Sequence, residues 1–88
     1  MAKSHFLPIG SVVLLDGFQV DGFDKKLMIF GRRQIQSNTG DLFDYVACLY
    51  PEGNISSAYN VFFNHEDISR VVFKGYEDSE ERALRATL

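Results

Sequence analysis

The sequence predicts a mainly β domain: a five-stranded antiparallel meander, curled or closed as an SH3-like barrel, with a short helical turn before the last strand and a C-terminal helix. Three observations predict this class. Runs of Val, Ile, Phe and Tyr recur along the chain, Gly-, Asn- and Asp-rich segments separate them, and two runs are apolar on both faces. Because a one-sided sheet needs only one apolar face, the doubly apolar runs favour a curled sheet or one covered by the helix.

The apolar runs place strands at residues 11–16, 26–36, 42–50, 59–63 and 69–74. The intervening Asp16-Gly17, Asp21-Gly22 and Asn38-Thr39-Gly40 segments contain residues that tolerate a positive φ. These connections are short, so neighbouring strands should pair antiparallel. We interpret residues 17–24 as an elaborated hairpin loop.

Two segments carry helical signals. The segment Asn64-His65-Glu66-Asp67 predicts a single helical turn, with Asn64 as the capping residue and Asp67 in the first turn. Asp78 is the predicted N-cap of a helix over residues 78–88, in which Leu84 and Leu88 share one stripe. A helix this short is marginal alone, so we expect it to dock on its own sheet.

The length of 88 residues predicts one domain over residues 1–88, with a loose N-terminus at 1–7, a sheet core at 9–76 and the helix at 78–88. The only cysteine, Cys48, lies in an apolar run, where a thiol commonly packs as a small hydrophobic side chain. A reducing compartment suits it, and no secretory signal or membrane-spanning segment is evident. We therefore expect a cytoplasmic protein with no membrane partner.

The charge pattern argues against nucleic-acid binding, since the formal net charge is −3 and nucleic-acid affinity depends on clustered cations. We expect the Arg32-Arg33 pair to be solvated on a strand. Six aromatic residues in the strands are expected to pack in the core rather than stack on bases: Phe30, Phe43, Tyr45, Phe62, Phe63 and Phe73.

The sequence offers no arrangement typical of catalysis. His65-Glu66-Asp67 has the side chains of a metal or acid–base site, but adjacent residues point in different directions and zinc needs three or four convergent ligands. Cys48 in an apolar strand is expected to be unreactive. We therefore expect no catalytic residue, no metal, no cofactor and no enzymatic activity.

The most plausible contact residues lie in loops. Phe18 and Phe23 occur in a tight acidic loop with little core around it, and Ile55 and Tyr59 flank the loop at residues 54–58. These four side chains are the candidates for an apolar contact patch. Further partner-binding candidates are the polar side chains Glu52, Asn54 and His65.

Several segments in this order carry a family resemblance: Leu7-Pro8-Ile9-Gly10-Ser11-Val12-Val13-Leu14-Leu15, Leu27-Met28-Ile29-Phe30-Gly31-Arg32, Asp44-Tyr45, Tyr50-Pro51-Glu52-Gly53-Asn54, Phe63-Asn64-His65-Glu66-Asp67-Ile68 and Gly75-Tyr76-Glu77-Asp78. Together they resemble a small bacterial domain of unknown function, catalogued as four-one-seven-six, from about residue 7 to residue 81. The resemblance implies an accessory partner encoded beside LXG-type toxins of the type VII secretion pathway in Gram-positive bacteria. It implies no catalytic residues.

The leading hypothesis is a non-enzymatic protein-binding module, a cytoplasmic chaperone-like partner of such a toxin that uses a strand edge or the loop patch. One alternative is an immunity-type inhibitor of the toxic domain, whose acidic charge would block a basic active site. Another is a small ligand-binding barrel with His65 and Asp67 in a pocket. A homodimer through a sheet edge is also open.

Overall fold

The computed structural model describes residues 6–88. Seven strands and one α-helix span the following ranges: β1 Val12–Leu15, β2 Gln19–Val20, β3 Phe23–Asp24, β4 Leu27–Ile35, β5 Leu42–Leu49, β6 Val61–Phe63, β7 Ile68–Phe73 and α1 Ser79–Arg85. Two 3-10 turns, Ser57–Tyr59 and His65–Asp67, precede β6 and β7. The prediction of a mainly β fold with a helical turn before the last strand and a C-terminal helix is confirmed.

Five strands form one antiparallel sheet in the order β6-β5-β4-β1-β7. The strands β1, β4, β5 and β6 are neighbours in that order, with the β2–β3 pair inserted in the chain between β1 and β4. The last strand, β7, pairs with the other side of β1 instead of with β6. This order leaves β6 and β7 as the two edges, with the second 3-10 turn connecting them.

Residues 17–24 form more than a loop, because β2 and β3 pair as a separate two-stranded sheet. Asp21 (φ 54°) and Gly22 (φ 81°) connect these strands, both in the left-handed region that a tight two-residue hairpin turn requires. The strand expected at 59–63 is shorter than predicted: the first 3-10 turn takes up Tyr59, and β6 begins at Val61.

The core lies on one face of the five-stranded sheet. Its buried members are Phe6, Leu7, Val13, Leu15, Leu27, Ile29, Tyr45, Ala47 and Phe63. Phe6 is 1% exposed and packs edge-on against the Tyr45 ring, with the ring centroids 5.6 Å apart. The expected loose N-terminus is therefore wrong for Phe6 and Leu7, which the apolar interior holds; residues 1–5 lie outside the described residues.

Arg32 is not solvated, contrary to expectation. Its guanidinium donates two hydrogen bonds to the Glu81 carboxylate, at 2.6 and 2.7 Å, and one to the Leu7 carbonyl at 3.3 Å. The two charged side chains are only 4% and 11% exposed. Arg85 extends the arrangement by donating to the Phe6 carbonyl and to the Glu77 carboxylate. This group, the Arg32–Glu81 clamp, ties α1 and the chain around Phe6 to β4.

Helix α1 is held mainly by these charged contacts. Its predicted cap is present, since the Asp78 carboxylate accepts a hydrogen bond from the Glu81 N–H at 3.0 Å. No α1 residue is buried, and Leu84 is exposed although its stripe neighbour Leu88 packs against the core. Docking of α1 on its own sheet therefore depends on the clamp more than on the expected leucine stripe.

Among residues 6–88, no helix is long and apolar enough to cross a membrane.

Candidate functional site

The face of the sheet opposite the core is also apolar, and we call it the outer face. Side chains alternate between faces along a strand, so Val12 and Met28 point away from the core that Val13, Leu27 and Ile29 enter. Four residues stand in register across β7, β1, β4 and β5: Phe73, Val12, Met28 and Cys48. This row accounts for the doubly apolar runs in the sequence.

A cleft of about 460 Å³ opens on the outer face beside β7. The side chains that form its walls are Val12, Lys26, Met28, Tyr50, Val72 and Phe73. We call it the β7 cleft. Phe73 is 61% exposed, and Val72 and Tyr50 are also exposed. The expectation that Phe73 packs in the core is wrong, because β7 is an edge strand and nothing among the described residues covers this side chain. Phe30 is likewise exposed, whereas Tyr45 and Phe63 are buried as predicted.

The backbone of β7 is available as well. Within residues 6–88, β7 pairs with β1 along one side and with no strand along the other. Such an edge presents unpaired N–H and C=O groups that can accept another strand. An accessible strand edge and an apolar cleft therefore adjoin each other at β7.

Three basic residues lie in the wall of the β7 cleft or on the chain at β7. Among the described residues in the walls of the cleft, Lys26 is the one that is charged. Arg70 lies on β7 and Lys74 directly after it. Lys74 pairs with Glu77 at 3.2 Å, whereas Lys26 and Arg70 take part in no ion pair found among the described residues. The charge on the described walls of the cleft is thus positive, whereas the formal net charge of the chain is −3.

The predicted loop patch does not assemble as one surface. Phe18 is partly buried against the core, where it lines a shallow groove of about 230 Å³ together with Tyr59. Phe23, on the β2–β3 hairpin, is 78% exposed, and Ile55 is exposed; neither lines that groove. The structure therefore brings Phe18 and Tyr59 together and leaves Phe23 and Ile55 outside the groove that they form.

The polar candidates lie at three separate places. Glu52 pairs with Lys25 at 2.9 Å on the surface, which lowers the pKa of its carboxyl through the hydrogen bond from the ammonium. Asn54 is exposed. His65 lies in the second 3-10 turn, where its backbone N–H donates to the Asp44 carboxylate at 3.0 Å.

The His65 ring is part of a structural hydrogen-bond network. Its Nδ1 lies 2.7 Å from the Tyr45 hydroxyl, which also accepts a hydrogen bond from the Leu7 N–H at 3.0 Å. Burial raises the pKa of Tyr45 to about 12, so this hydroxyl keeps its proton at neutral pH and can donate it to an unprotonated Nδ1. The Asp67 carboxylate accepts from the Asn64 N–H at 2.9 Å, as a turn cap does. His65 and Asp67 thus have local structural partners, and neither lines the β7 cleft or the Phe18 groove.

Among the described residues, no group of three or more His, Cys, Asp or Glu side chains is arranged to hold a metal ion. Cys48 is buried in the outer-face row, as predicted for a small hydrophobic side chain, with its thiol 3.7 Å from the Met28 carbonyl.

The sequence reasoning missed the β7 cleft. The signal available was the doubly apolar pattern, which indicated a second apolar face without showing that part of it would be open.

Comparison with known proteins gives a single finding. No curated protein and no solved structure matches the chain significantly. The model of one family matches residues 6–84, which is most of the chain and includes every strand and nearly all of α1. The chain therefore belongs to the family described as Domain of unknown function (DUF4176).

Proposed function

We propose that this protein is a non-enzymatic protein-binding module that holds a polypeptide client at the β7 cleft. The observation that carries the proposal is the coincidence of an unpaired strand edge and an open apolar cleft on the same strand. Either feature alone is common, but together they supply the two components of polypeptide recognition: backbone hydrogen bonds and side-chain pockets.

The exposed side chains support this use of the surface. Phe73, Val72 and Tyr50 are all exposed and all line the same cleft. A contiguous apolar area on a small domain is typical of an interaction site. Aromatic residues at such a site contribute most when a partner encloses them.

We propose that the client is an LXG-type toxin of the type VII secretion pathway, bound in the cytoplasm before export. The support for this choice is the sequence resemblance, which associates the family with genes beside such toxins. In this role the module would cover part of the toxin or of its targeting complex as a chaperone-like accessory protein.

Co-expression with the N-terminal region of the neighbouring LXG toxin tests the proposal, with co-purification in mild salt as the measurement. Phe73→Asp places a charge in the β7 cleft and should abolish retention of the toxin region. Phe23→Asp is the matched control: the same substitution at a similarly exposed phenylalanine, on the β2–β3 hairpin away from the cleft. It should leave retention unchanged.

Circular dichroism and thermal melting must first show that both variants fold. Loss of the client with Phe23→Asp but not with Phe73→Asp would return the contact to the loop residues predicted from sequence. Retention of the client by both variants would exclude both surfaces.

A further inference from the structure

We infer that the β7 cleft, acting in the proposed function, takes an extended acidic segment of its client as an added strand. Every second side chain of the segment would face the outer face. On that face, apolar side chains would enter the cleft, and carboxylates at the neighbouring positions of the same face would pair with Lys26 and Arg70. The inference specifies the form and the charge of the bound segment, neither of which follows from client binding alone.

The extended form follows from the edge. The strand β7 runs for six residues, Ile68–Phe73, and so offers an edge of roughly 20 Å to another chain. A helix laid in the cleft has its backbone groups paired internally, so it could not hydrogen-bond to the β7 edge. An added strand satisfies the unpaired backbone groups of β7, and its side chains alternate, so every second one faces the outer face and the cleft.

The acidic character follows from charge complementarity. Lys26 stands on the wall of the cleft, and Arg70 lies in β7 opposite Leu14. None of the described residues that line the cleft is a carboxylate. A basic segment would meet like charge there without compensation, whereas an acidic one would be attracted during encounter and held in register.

A second copy of this chain is a poorer occupant. In an antiparallel self-pairing of two β7 strands, Arg70 and Lys74 of both copies would line one shared edge. When the pairing is centred on Val72, Arg70 of each copy lies directly opposite Lys74 of the other. Like charges directly opposite each other are destabilising, so this register of self-pairing is disfavoured.

The experiment uses synthetic peptides of nine residues that differ in one property each. The first has valine and glutamate in turn at every second position, with threonine between them, so that valine and glutamate face the same side of the strand. The second has lysine in place of glutamate, and the third repeats the first with every second backbone nitrogen methylated. Amide chemical shifts of the labelled protein report both affinity and location. We expect the glutamate peptide to shift β7 amides and to bind about tenfold tighter than the lysine peptide. Methylation should remove the binding, because an added strand needs its N–H groups.

Charge reversal provides the protein-side test. Lys26→Glu combined with Arg70→Glu should invert the peptide preference, and Arg33→Glu, at an exposed arginine of β4, is the control that should leave it unchanged. The preference should also weaken with added salt, as expected for exposed charges.

The outcomes separate the two proposals. If the toxin region is retained in a Phe73-dependent manner but the methylated or the lysine peptide binds as well as the glutamate peptide, the client-binding function stands and the strand inference is wrong. If sedimentation shows a dimer that Phe73→Asp dissociates, the cleft is a self-interface and both proposals fail. Binding of the glutamate peptide away from β7 would also overturn the inference.

Discussion

The Arg32–Glu81 clamp makes a quantitative prediction about stability. Glu81→Gln preserves the size of the side chain and removes its charge, so the Arg32 guanidinium, 4% exposed, would remain buried without a countercharge. Removing one partner of a buried ion pair typically costs about 3 to 5 kcal/mol. Because Glu81 is itself 11% exposed, we expect the lower end, a loss of about 3 kcal/mol in the free energy of unfolding.

For a domain of this size, that loss corresponds to a fall in Tm of roughly 12 to 24 °C, at about 4 to 8 °C per kcal/mol. Urea unfolding followed by circular dichroism measures the free energy, and thermal melting gives the Tm. The matched control is Glu52→Gln, which makes the same change in the exposed Lys25–Glu52 pair and should change the Tm little.

A double variant sharpens the test. Arg32→Met with Glu81→Met removes both charges and leaves side chains of comparable length, so much of the lost stability should return. A loss below about 1 kcal/mol in Glu81→Gln, comparable to a surface pair, would refute the reasoning that burial makes this clamp costly to break. So would a double variant that is no more stable than the single one.

Two further predictions concern the core and a backbone contact. Because burial raises the pKa of Tyr45 to about 12 in the folded chain, from 10.0 in the absence of burial, stability should be independent of this group below pH 10 and should fall between pH 10 and 12. Comparing the pH dependence of urea unfolding with that of Tyr45→Phe checks this, and an identical alkaline decline in both would contradict it. At Gly75, an added Cβ would lie 2.4 Å from the Ile9 carbonyl oxygen, a backbone atom that cannot move aside easily, so Gly75→Ala should cost about 1 to 3 kcal/mol in urea unfolding. Unchanged stability would show that the chain after β7 can shift away from Ile9.

Local signals predicted much of the fold. Asp78 with Glu81 three residues later identified the N-cap of α1, because capping depends on residues close in sequence. Asp21-Gly22 identified the tight turn for a similar reason, since few residues adopt a positive φ readily. The strand runs and the second 3-10 turn followed from the same kind of short-range chemistry.

Long-range pairing was not predictable in this way. The partner of Arg32 is Glu81, 49 positions away, and nothing near Arg32 distinguishes it from its solvated neighbour Arg33. Phe6 likewise depends on Tyr45, which the fold brings to it from a distant strand. The sequence alone therefore predicts that a charged side chain such as Arg32 is exposed, because the distant partner that buries it is not evident. The same holds for an aromatic ring near a chain end, such as Phe6.

The candidate site was missed for a different reason. Exposure of Phe73 depends on which strand stands at the edge of the sheet, and strand order is not encoded in the alternation of any single strand. Phe18 shows the opposite error: its loop position suggested exposure, but the β2–β3 hairpin folds so that the ring packs against the core.

Cys48 gives the molecule a built-in reporter of motion on its outer face. The thiol stands in register with Met28, and alkylation requires the sheet to open locally, because the side chain is only 2% exposed. Because the chain has one cysteine, its rate of alkylation measures this local opening without any added label. Slower alkylation of the thiol in the presence of a bound partner would then show that the partner suppresses local opening of the sheet.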